Sequence, residues 1–400
     1  MRQASPTHGP DPRDAGEGGH IVSVCLGHGP QGFVRHEALA RAYGGRVTFL
    51  AMSAVAPDRA WRVATDGLSF DVVTLFDEPY DRVPPRTRAS EVVRALGKLQ
   101  PTAVVTLGYA DTAMRAAAAW ARRAGVVSLV YLSMGYHDRP RALWREWAKR
   151  WVVGRLYDGA FVGGARSADY AQSLGIPGDR IATGYEVVDN ERFAQGAEAA
   201  RARSAELRQA LGLPERFFLY AGRLAPEKNL STLLQAYALY RQQAPEGWGL
   251  AMVGSGGGEG KLRELADRLE TPDVRWLEFR QPEEMPELYG LASCLVLPSL
   301  REPWGLVVNE ALACSLPVIV SDRCGCVPEL LRDGRNGFLW SPNDPQTLAA
   351  LMGRMASADT DRRGMGEAGR QIIASFTPET WARSLLALID RVAGLRGSCA

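Results

Sequence analysis

Short hydrophobic runs alternate with amphipathic segments of helical length along most of the chain. Strands that are apolar at nearly every position are typical of parallel sheets covered by helices on both faces. In the first half, the predicted strands are 21–25, 47–50, 72–75, 103–107, 126–132 and 160–162. Helical patterns between them cover 33–43, 88–99 and 111–124. This alternation predicts a doubly wound α/β domain.

The rhythm breaks at 185–202, where the chain becomes polar and then rich in alanine and arginine, and it restarts afterwards. Predicted strands of the second half are 217–220, 249–253, 274–277, 294–297 and 317–320. Predicted helices are 229–241, 259–269, 282–290, 306–314 and 345–356. We therefore expect a second α/β domain with its own core.

These patterns predict five parts of the chain. They are a disordered tail at 1–19, a Rossmann-like N-terminal domain at 20–190, a linker at 191–204, a Rossmann-like C-terminal domain at 205–375 and a terminal segment at 376–400. The last part contains an amphipathic helix over 377–395, opened by a Thr-Pro signal, which we expect to pack back on the first domain. Two such domains imply a cleft between them, where ligands commonly bind.

Composition and charge narrow the classes of partner, metal site and location that we expect for this protein. Net charge is +2 with 23% charged residues, so no overall field attracts nucleic acid, and none is expected as a partner. The six cysteines show no zinc-finger spacing, which predicts reduced thiols and no metal site. Residues 1–19 lack the apolar stretch of a signal peptide, and no window resembles a membrane span. We expect a cytoplasmic protein.

The strongest chemical signal is the stretch 301–310, Arg-Glu-Pro-Trp-Gly-Leu-Val-Val-Asn-Glu, which follows a predicted strand. A helix opening at Gly305 would present its first amides, including that of Leu306, and its positive dipole end to an anion. Glu302 and Glu310 would accept hydrogen bonds from hydroxyls on either side. This pattern suits a diphosphate with a sugar at each end, although an acidic turn before a core helix is the structural alternative.

Two basic residues follow the predicted strand 217–220. Arg223 and Lys228 lie in the stretch 220–229, at the strand edge where ligands of open α/β sheets collect. They would bind a diphosphate and stabilise the charge that grows as it leaves a sugar. A solvated basic loop is the alternative interpretation.

Glycine-rich turns mark both domains. Gly254 and Gly256, in 253–260, would let backbone approach a ligand, although an ordinary tight loop has the same composition. In the first domain, the loop 27–33 with Gly32 would cover the donor diphosphate or the acceptor. His137, in the loop 133–138, would contact the donor sugar or position the acceptor; a loop histidine without function is the alternative.

The motifs together resemble the donor-binding part of the family-4 retaining glycosyltransferases. The resemblance rests on Gly-Arg-Leu-x-x-Glu-Lys-Asn at 222–229, on Glu-x7-Glu at 302–310 and on the following Ala-Leu-Ala-Cys-Ser-Leu-Pro-Val-Ile-Val, and it covers 217–342. It implies a GT-B fold, in which two Rossmann-like domains face a central cleft, and transfer with retention from a UDP-, GDP- or ADP-sugar to a hydroxyl acceptor.

The resemblance implies roles for most of the candidate site residues, position by position. His137, Gly32 and Val307 are candidates because of their place in the loops and in the stretch 301–310. The catalytic candidates are Arg223, Lys228, Glu302 and His137. The donor-binding candidates are Gly254, Gly256, Gly305, Leu306, Val307, Glu310 and Gly32. No cofactor or metal is implied beyond the nucleotide-sugar co-substrate, and the chain has no Asp-x-Asp motif. The acceptor, whether a glycan, a lipid-linked saccharide or a small metabolite, stays open.

The chain departs from the family at two points. The family often has a histidine directly after a first-domain strand, whereas here that strand ends in Leu-Ser-Met at 132–134; His137 comes later and Ser133 occupies the usual place. The linker of the family commonly reads Asn-Gly-Val-Asp, and here 185–190 reads Tyr-Glu-Val-Val-Asp-Asn. No first-domain carboxylate is identified for a nucleophile's role.

Two other functions fit the same architecture. A non-hydrolysing sugar-nucleotide 2-epimerase would need first-domain acids and bases that we do not identify, and a non-catalytic nucleotide-sugar-binding protein would not need the full charged set. Donor turnover separates the three, because transfer releases nucleotide, epimerisation alters the sugar and binding does neither.

The segment 139–155 combines six basic residues and one acid with a tryptophan stripe at Trp144, Trp147 and Trp151. We expect the stripe to pack on the sheet while the charges face water. The alternative is an interfacial helix that holds the protein at the inner face of a membrane.

Overall fold

The computed structural model describes residues 18–54, 61, 63–135, 142–271, 273–342 and 344–397. The predicted tail therefore lies almost wholly outside the described residues. The strands of the first domain are β1 His20–Gly27, β2 Arg46–Ser53, β3 Asp71–Phe76, β4 Ala103–Leu107, β5 Val127–Leu132, β6 Gly159–Val162 and β7 Ile181–Thr183. Its helices are α1 Pro30–Ala42, α2 Pro85–Leu99, α3 Thr112–Ala124, α4 Leu143–Leu156 and α5 Ala165–Ser173.

The second domain repeats the design. Its strands are β8 Phe217–Ala221, β9 Gly249–Val253, β10 Val274–Leu277, β11 Cys294–Leu297, β12 Val318–Ser321 and β13 Gly337–Trp340. The remaining helices are α6 Asn190–Ala202, α7 Ser204–Leu211, α8 Leu230–Gln243, α9 Glu259–Arg268, α10 Met285–Leu291, α11 Leu306–Ala313, α12 Val327–Leu330, α13 Pro345–Ala356, α14 Arg362–Ile373 and α15 Pro378–Gly397.

Both sheets are parallel and doubly wound. Their strand orders are β3-β2-β1-β4-β5-β6-β7 and β10-β9-β8-β11-β12-β13. In each sheet the order in which successive strands are added reverses beside the first strand. Val22 of β1, for example, pairs with Thr48 on one side and Val104 on the other. The central strands are buried because helices cover both faces, as their unbroken apolar runs predict. The predicted pair of Rossmann-like domains is confirmed.

The predicted linker at 191–204 is wrong, because most of it forms helix α6 packed on the second domain. The Asp189 side chain accepts a hydrogen bond from the Arg192 amide at 3.0 Å and caps the helix, and the alanine-rich sequence favours helix. Phe193 and Ala197 are buried in the second core. A Cβ on Gly196 would lie 2.6 Å from Pro286, so the small residues of α6 permit close packing on α10.

The terminal helix α15 returns to the first domain. It packs against α1, and Trp381 is buried within about 6 Å, centroid to centroid, of the rings of His36, Tyr131 and Phe161. The chain thus crosses between the domains twice, and its last described helix completes the core in which it began.

The expected packing of the tryptophan stripe on the sheet is wrong. Trp144, Trp147 and Trp151 of α4 are 69%, 71% and 54% exposed. The opposite face of the helix makes the packing contact, since Val153 is fully buried in the first domain. The stripe lies about half a turn away from that face and meets solvent.

Candidate functional site

Two loops of the second domain meet beside its first strand, where the order of the sheet reverses. One follows β8 and carries Arg223 and Lys228; the other follows β11 and carries Glu302. The amides of Leu300 and Arg301 donate to the Glu227 carbonyl oxygen at 2.9 and 3.4 Å and tie the loops together. This is the edge at which open α/β sheets bind ligands.

Lys228 and Glu302 form an ion pair at the meeting point. The Lys228 ammonium donates to the Glu302 carboxylate, which also accepts from the Ser299 hydroxyl at 3.2 Å. Both side chains are only 13–14% exposed, so each needs a partner of opposite charge. Arg223 is more exposed and pairs with Glu227 at 2.7 Å, while its carbonyl accepts from Tyr220 at 2.7 Å. Both cations line the same cavity, and each is balanced by a carboxylate.

Gly305 opens helix α11 beside this pair. Its φ of 105° is the left-handed conformation that glycine tolerates, and a Cβ there would lie 2.9 Å from Leu297 Cδ2. The first amides of a helix have no intrahelical acceptor and carry its positive dipole end. Gly305, Leu306 and Val307 line the same cavity as Lys228, so an anion held there would meet amides as well as ammonium.

Glu310 lies one turn into α11 and is buried. The Tyr289 hydroxyl donates to its carboxyl at 2.6 Å, and the side chain of Gln31, from the first domain, also hydrogen-bonds to it. Burial raises the pKa of Glu310 to about 7, and the two hydrogen bonds oppose that rise only in part. A ligand that donates hydroxyl hydrogens to this carboxyl would favour its ionised form.

The turn after β9 brings backbone against backbone. Gly254 has a φ of 137°, and a Cβ there would lie 2.0 Å from the Gly222 carbonyl oxygen. The Leu224 amide donates to the Ser255 carbonyl at 2.9 Å, which joins this turn to the Arg223 loop. Gly254 and Ser255 line the cavity, whereas Gly256 packs against the backbone of Leu224.

The Cys324-Gly-Cys326 segment packs against the Glu302 loop and hydrogen-bonds to its backbone. The Gly325 amide donates to the Glu302 carbonyl at 2.9 Å, and the Cys326 amide donates to the Trp304 carbonyl at 3.1 Å. Both thiols are buried, which raises the pKa of Cys324 well above its usual value. Buried, protonated thiols under a loop act as small apolar groups, and this is the role we assign to the pair.

The first domain brings a carboxylate that sequence reasoning did not identify. Glu186 lines the cavity although it is only 7% exposed. It accepts from the Ser133 hydroxyl and forms an ion pair with Arg35 at 3.3 Å, and the guanidinium of Arg35 lies 4.6 Å from the Tyr185 ring centre. The sequence identified no first-domain carboxylate for a role in the cleft, and the structure places Glu186 there. The Tyr-Glu departure from the linker motif was its only signal in the sequence.

The cavity between the domains has a volume of about 470 Å³. Side chains and backbone of both domains line it, and the predicted residues among them are Arg223, Lys228, Gly254, Glu302, Gly305, Leu306, Val307 and Glu310. Gly32 is not among them, because it lies in the first turn of α1 against Phe49 while its neighbour Gln31 faces the cavity. His137 lies outside the described residues. Trp61, Gln31 and Glu186 are the first-domain residues that the sequence did not mark.

The domains also touch beside the cavity. The Asn309 side chain donates to the Glu186 carbonyl at 3.0 Å and accepts from the Trp304 indole at 2.8 Å. Arg166 of the first domain donates to the carbonyls of Asp322 and Cys324, both at 2.9 Å. Hydrogen bonds thus join the two domains beside the cavity.

The described residues provide neither a metal-binding cluster nor a membrane-spanning helix. No group of three or more His, Cys, Asp or Glu side chains is arranged to hold a metal ion. None of the described helices is long and apolar enough to cross a membrane.

Two facing Rossmann-like domains with a charged cavity at their shared edge define a protein of the GT-B fold. The model of the family described as glycosyl transferases group 1 matches residues 204–372, so the second domain carries the sequence pattern of that family.

Curated relatives of this chain include glycosyltransferases by name. The D-inositol 3-phosphate glycosyltransferase of Corynebacterium urealyticum is 32% identical over 270 residues, which are 64% of this chain and 62% of that protein. The enzyme of the same name from Streptomyces scabiei is 36% identical over 217 residues, 51% of this chain and 47% of that protein. The chain thus spans less than two thirds of these relatives.

Solved structures match over nearly the whole chain. HepE of Anabaena, in complex with UDP and glucose, has a TM-score of 0.74 at 18% identity and covers 95% of this chain and 100% of its own. The α,α-trehalose 6-phosphate synthase of Burkholderia multivorans has a TM-score of 0.74 at 15% identity, with 94% and 100% coverage. At these identities the likeness shows the fold.

Proposed function

We propose that the protein is a glycosyltransferase that moves a sugar from a nucleoside diphosphate to a hydroxyl acceptor with retention of configuration. The observation that carries the proposal is the convergence of Arg223, Lys228, Glu302 and Glu310 with the first turn of α11 in one interdomain cavity. Cations and amides suit a diphosphate, and carboxyls on either side suit the hydroxyls of the sugar and the ribose.

On binding, the diphosphate would replace the carboxylates as the partner of the two cations. Lys228 would then contact a phosphate while Glu302 accepts from a sugar hydroxyl, and Arg223 would leave Glu227. As the anomeric C–O bond breaks, negative charge grows on the leaving phosphate, so these cations and the amides of α11 stabilise the transition state more than the bound donor.

In this mechanism the acceptor attacks on the face from which the phosphate departs. The leaving phosphate oxygen takes the acceptor proton, so the protein needs neither a metal nor a separate base. We assign Glu186 an electrostatic part, since a carboxylate on the first-domain side would stabilise the positive charge that develops at the anomeric carbon. Its ion pair with Arg35 holds it in place.

UDP-sugars are the first donors to test. HepE is a structural neighbour solved with UDP-glucose, and two of the trehalose-phosphate synthases similar in fold are UDP-forming. The phosphate and ribose contacts proposed above are common to all nucleoside diphosphate sugars, so GDP- and ADP-sugars belong in the same panel.

Donor turnover is the test. In a panel of nucleotide sugars, one donor should raise the melting temperature and then be hydrolysed slowly, releasing nucleotide. Lys228→Gln should lower kcat about 10²–10³-fold, the usual cost of losing one group that stabilises developing charge. The control is Lys261→Gln, which removes an exposed lysine of α9 and should leave kcat unchanged.

Each other outcome counts against the proposal. Conversion of the donor to an epimeric sugar nucleotide would make the protein an epimerase, and tight binding without turnover would make it a binding protein. Unchanged kcat in Lys228→Gln would contradict the site assignment.

A further inference from the structure

Helix α4 presents the most exposed large apolar side chains of the described chain. Trp144, Trp147 and Trp151 lie at i, i+3 and i+7, so their rings form one stripe along the helix. Water-exposed tryptophan at three neighbouring positions is costly, and such patches mark interaction surfaces.

The stripe is not needed for the packing of α4. On the opposite face, Val153 is buried, and Glu146 receives hydrogen bonds from Lys149 and, at 3.2 Å, from the Tyr170 hydroxyl of α5. The one acid of the helix is thus engaged at the inner face. The outer face is left to tryptophan and arginine.

Basic side chains accompany the rings. The Arg145 guanidinium lies 5.1 Å from the Trp144 ring centre, and that of Arg155 lies 4.3 Å from Trp151. Arg150 is exposed, and its guanidinium donates to the Ser173 carbonyl at 3.5 Å. None of these three arginines forms an ion pair with any of the described residues, so their charges are available to an anionic surface.

We propose that α4 docks the protein on an anionic lipid surface. Tryptophan rings suit the headgroup level of a bilayer, where an apolar ring and a polar N–H are both accommodated, and arginines bind lipid phosphates. The helix would lie in the plane of the membrane interface, with its tryptophan stripe facing the bilayer. A surface of repeated phosphates satisfies three separate arginines at once, which is why we favour it over a protein partner.

The orientation of α4 in the first domain relates the docking surface to the cleft. In a parallel α/β domain each helix runs opposite to its strands, so α4 begins at the edge where the strands end. That edge carries Ser133, which lines the cavity. Docking through α4 would bring the first-domain rim of the cleft to the membrane, where a lipid-linked acceptor would be presented.

Vesicle co-sedimentation of the full chain tests the proposal. We expect binding to phosphatidylcholine vesicles that contain phosphatidylglycerol, much weaker binding to phosphatidylcholine alone, and weakening by salt. Trp144→Ser/Trp147→Ser/Trp151→Ser and Arg145→Gln/Arg150→Gln/Arg155→Gln should each lower the partition coefficient by at least about tenfold.

Matched controls change the same chemistry elsewhere. Val93→Ser/Leu339→Ser removes two other exposed apolar side chains, and Arg41→Gln/Arg203→Gln/Arg363→Gln removes three exposed arginines outside α4. Both should bind vesicles as the unaltered protein does. Donor hydrolysis measured without vesicles should be the same in all variants, which keeps this test separate from that of the proposed function.

Two results would overturn the proposal. One is equal binding to vesicles with and without phosphatidylglycerol, or none to either. The other is self-association in light scattering that the tryptophan variant abolishes while vesicle binding persists, which would make the stripe an interface between copies of the chain.

Discussion

At the scale of single residues, the burial of the Glu310 carboxyl makes the stability of the folded protein depend on pH. Its pKa of about 7 in the folded protein lies above the ordinary value of 4.5, so between these pH values the folded state holds a proton that the unfolded state has lost. Stability must therefore fall as pH rises from 4.5 to 7, by about 3 kcal/mol at most, and level off above. Glu310→Gln should remove this loss, because the amide stays neutral and its oxygen can accept from Tyr289.

Urea unfolding of the two proteins between pH 4.5 and 8 checks this prediction. The difference in unfolding free energy should grow in favour of Glu310→Gln through that window. Glu264→Gln, at an exposed position of α9, is the control and should follow the unaltered protein. A constant difference between Glu310→Gln and the unaltered protein would contradict a shifted carboxyl.

The position of Glu186 at the cavity could not be predicted from the residues around it in the sequence. A lone glutamate before a linker has the pattern of a surface residue. Folding of the first domain places it against Ser133 and Arg35, and the meeting of the domains brings its carbonyl to the Asn309 side chain, from which it accepts a hydrogen bond. Contacts between residues 53, 123 and 151 positions apart have no local signature in the sequence.

At the scale of elements, the turn after β9 contains several glycines, but its conformation requires glycine at Gly254 in particular. Gly254→Ala would combine a φ of 137° with a Cβ 2.0 Å from the Gly222 carbonyl oxygen, and it should cost at least about 1–3 kcal/mol and weaken donor binding. Gly257→Ala, three residues on, meets no atom within 4 Å and should be tolerated. Thermal unfolding and the KM for donor check both variants; equal effects would contradict the close approach.

Helix α6 is the element that pattern reading misplaced. Its alanines and arginines lack a clear apolar face, so 191–204 has the composition of a linker. Packing decided otherwise, because Phe193 and Ala197 are buried in the core of the second domain. Gly196 of α6 and Gly290 of α10 let the two helices approach closely.

At the scale of the whole molecule, α15 makes the first domain depend on the end of the chain. Trp381 is buried among rings of the first domain, so Trp381→Ala should lower the unfolding free energy by about 3–5 kcal/mol. Trp381→Phe keeps a ring in the cluster and should cost less. Denaturant unfolding measures both, and the loss should appear in the first domain's transition; an unchanged midpoint for Trp381→Ala would contradict this packing.

The sequence by itself determined the two α/β domains, the strand-to-helix turns and the chemistry of the second domain's loops. Those features follow from local periodicity and from motifs within about ten residues, which any segment carries with it. Tertiary structure alone decided that Gln31 and Glu186 face the same cavity as Lys228, that 191–204 is a packed helix, and that the tryptophans of α4 point outward. These outcomes depend on which faces meet after folding, and pairing between distant segments is a property of the packed molecule rather than of any segment within it.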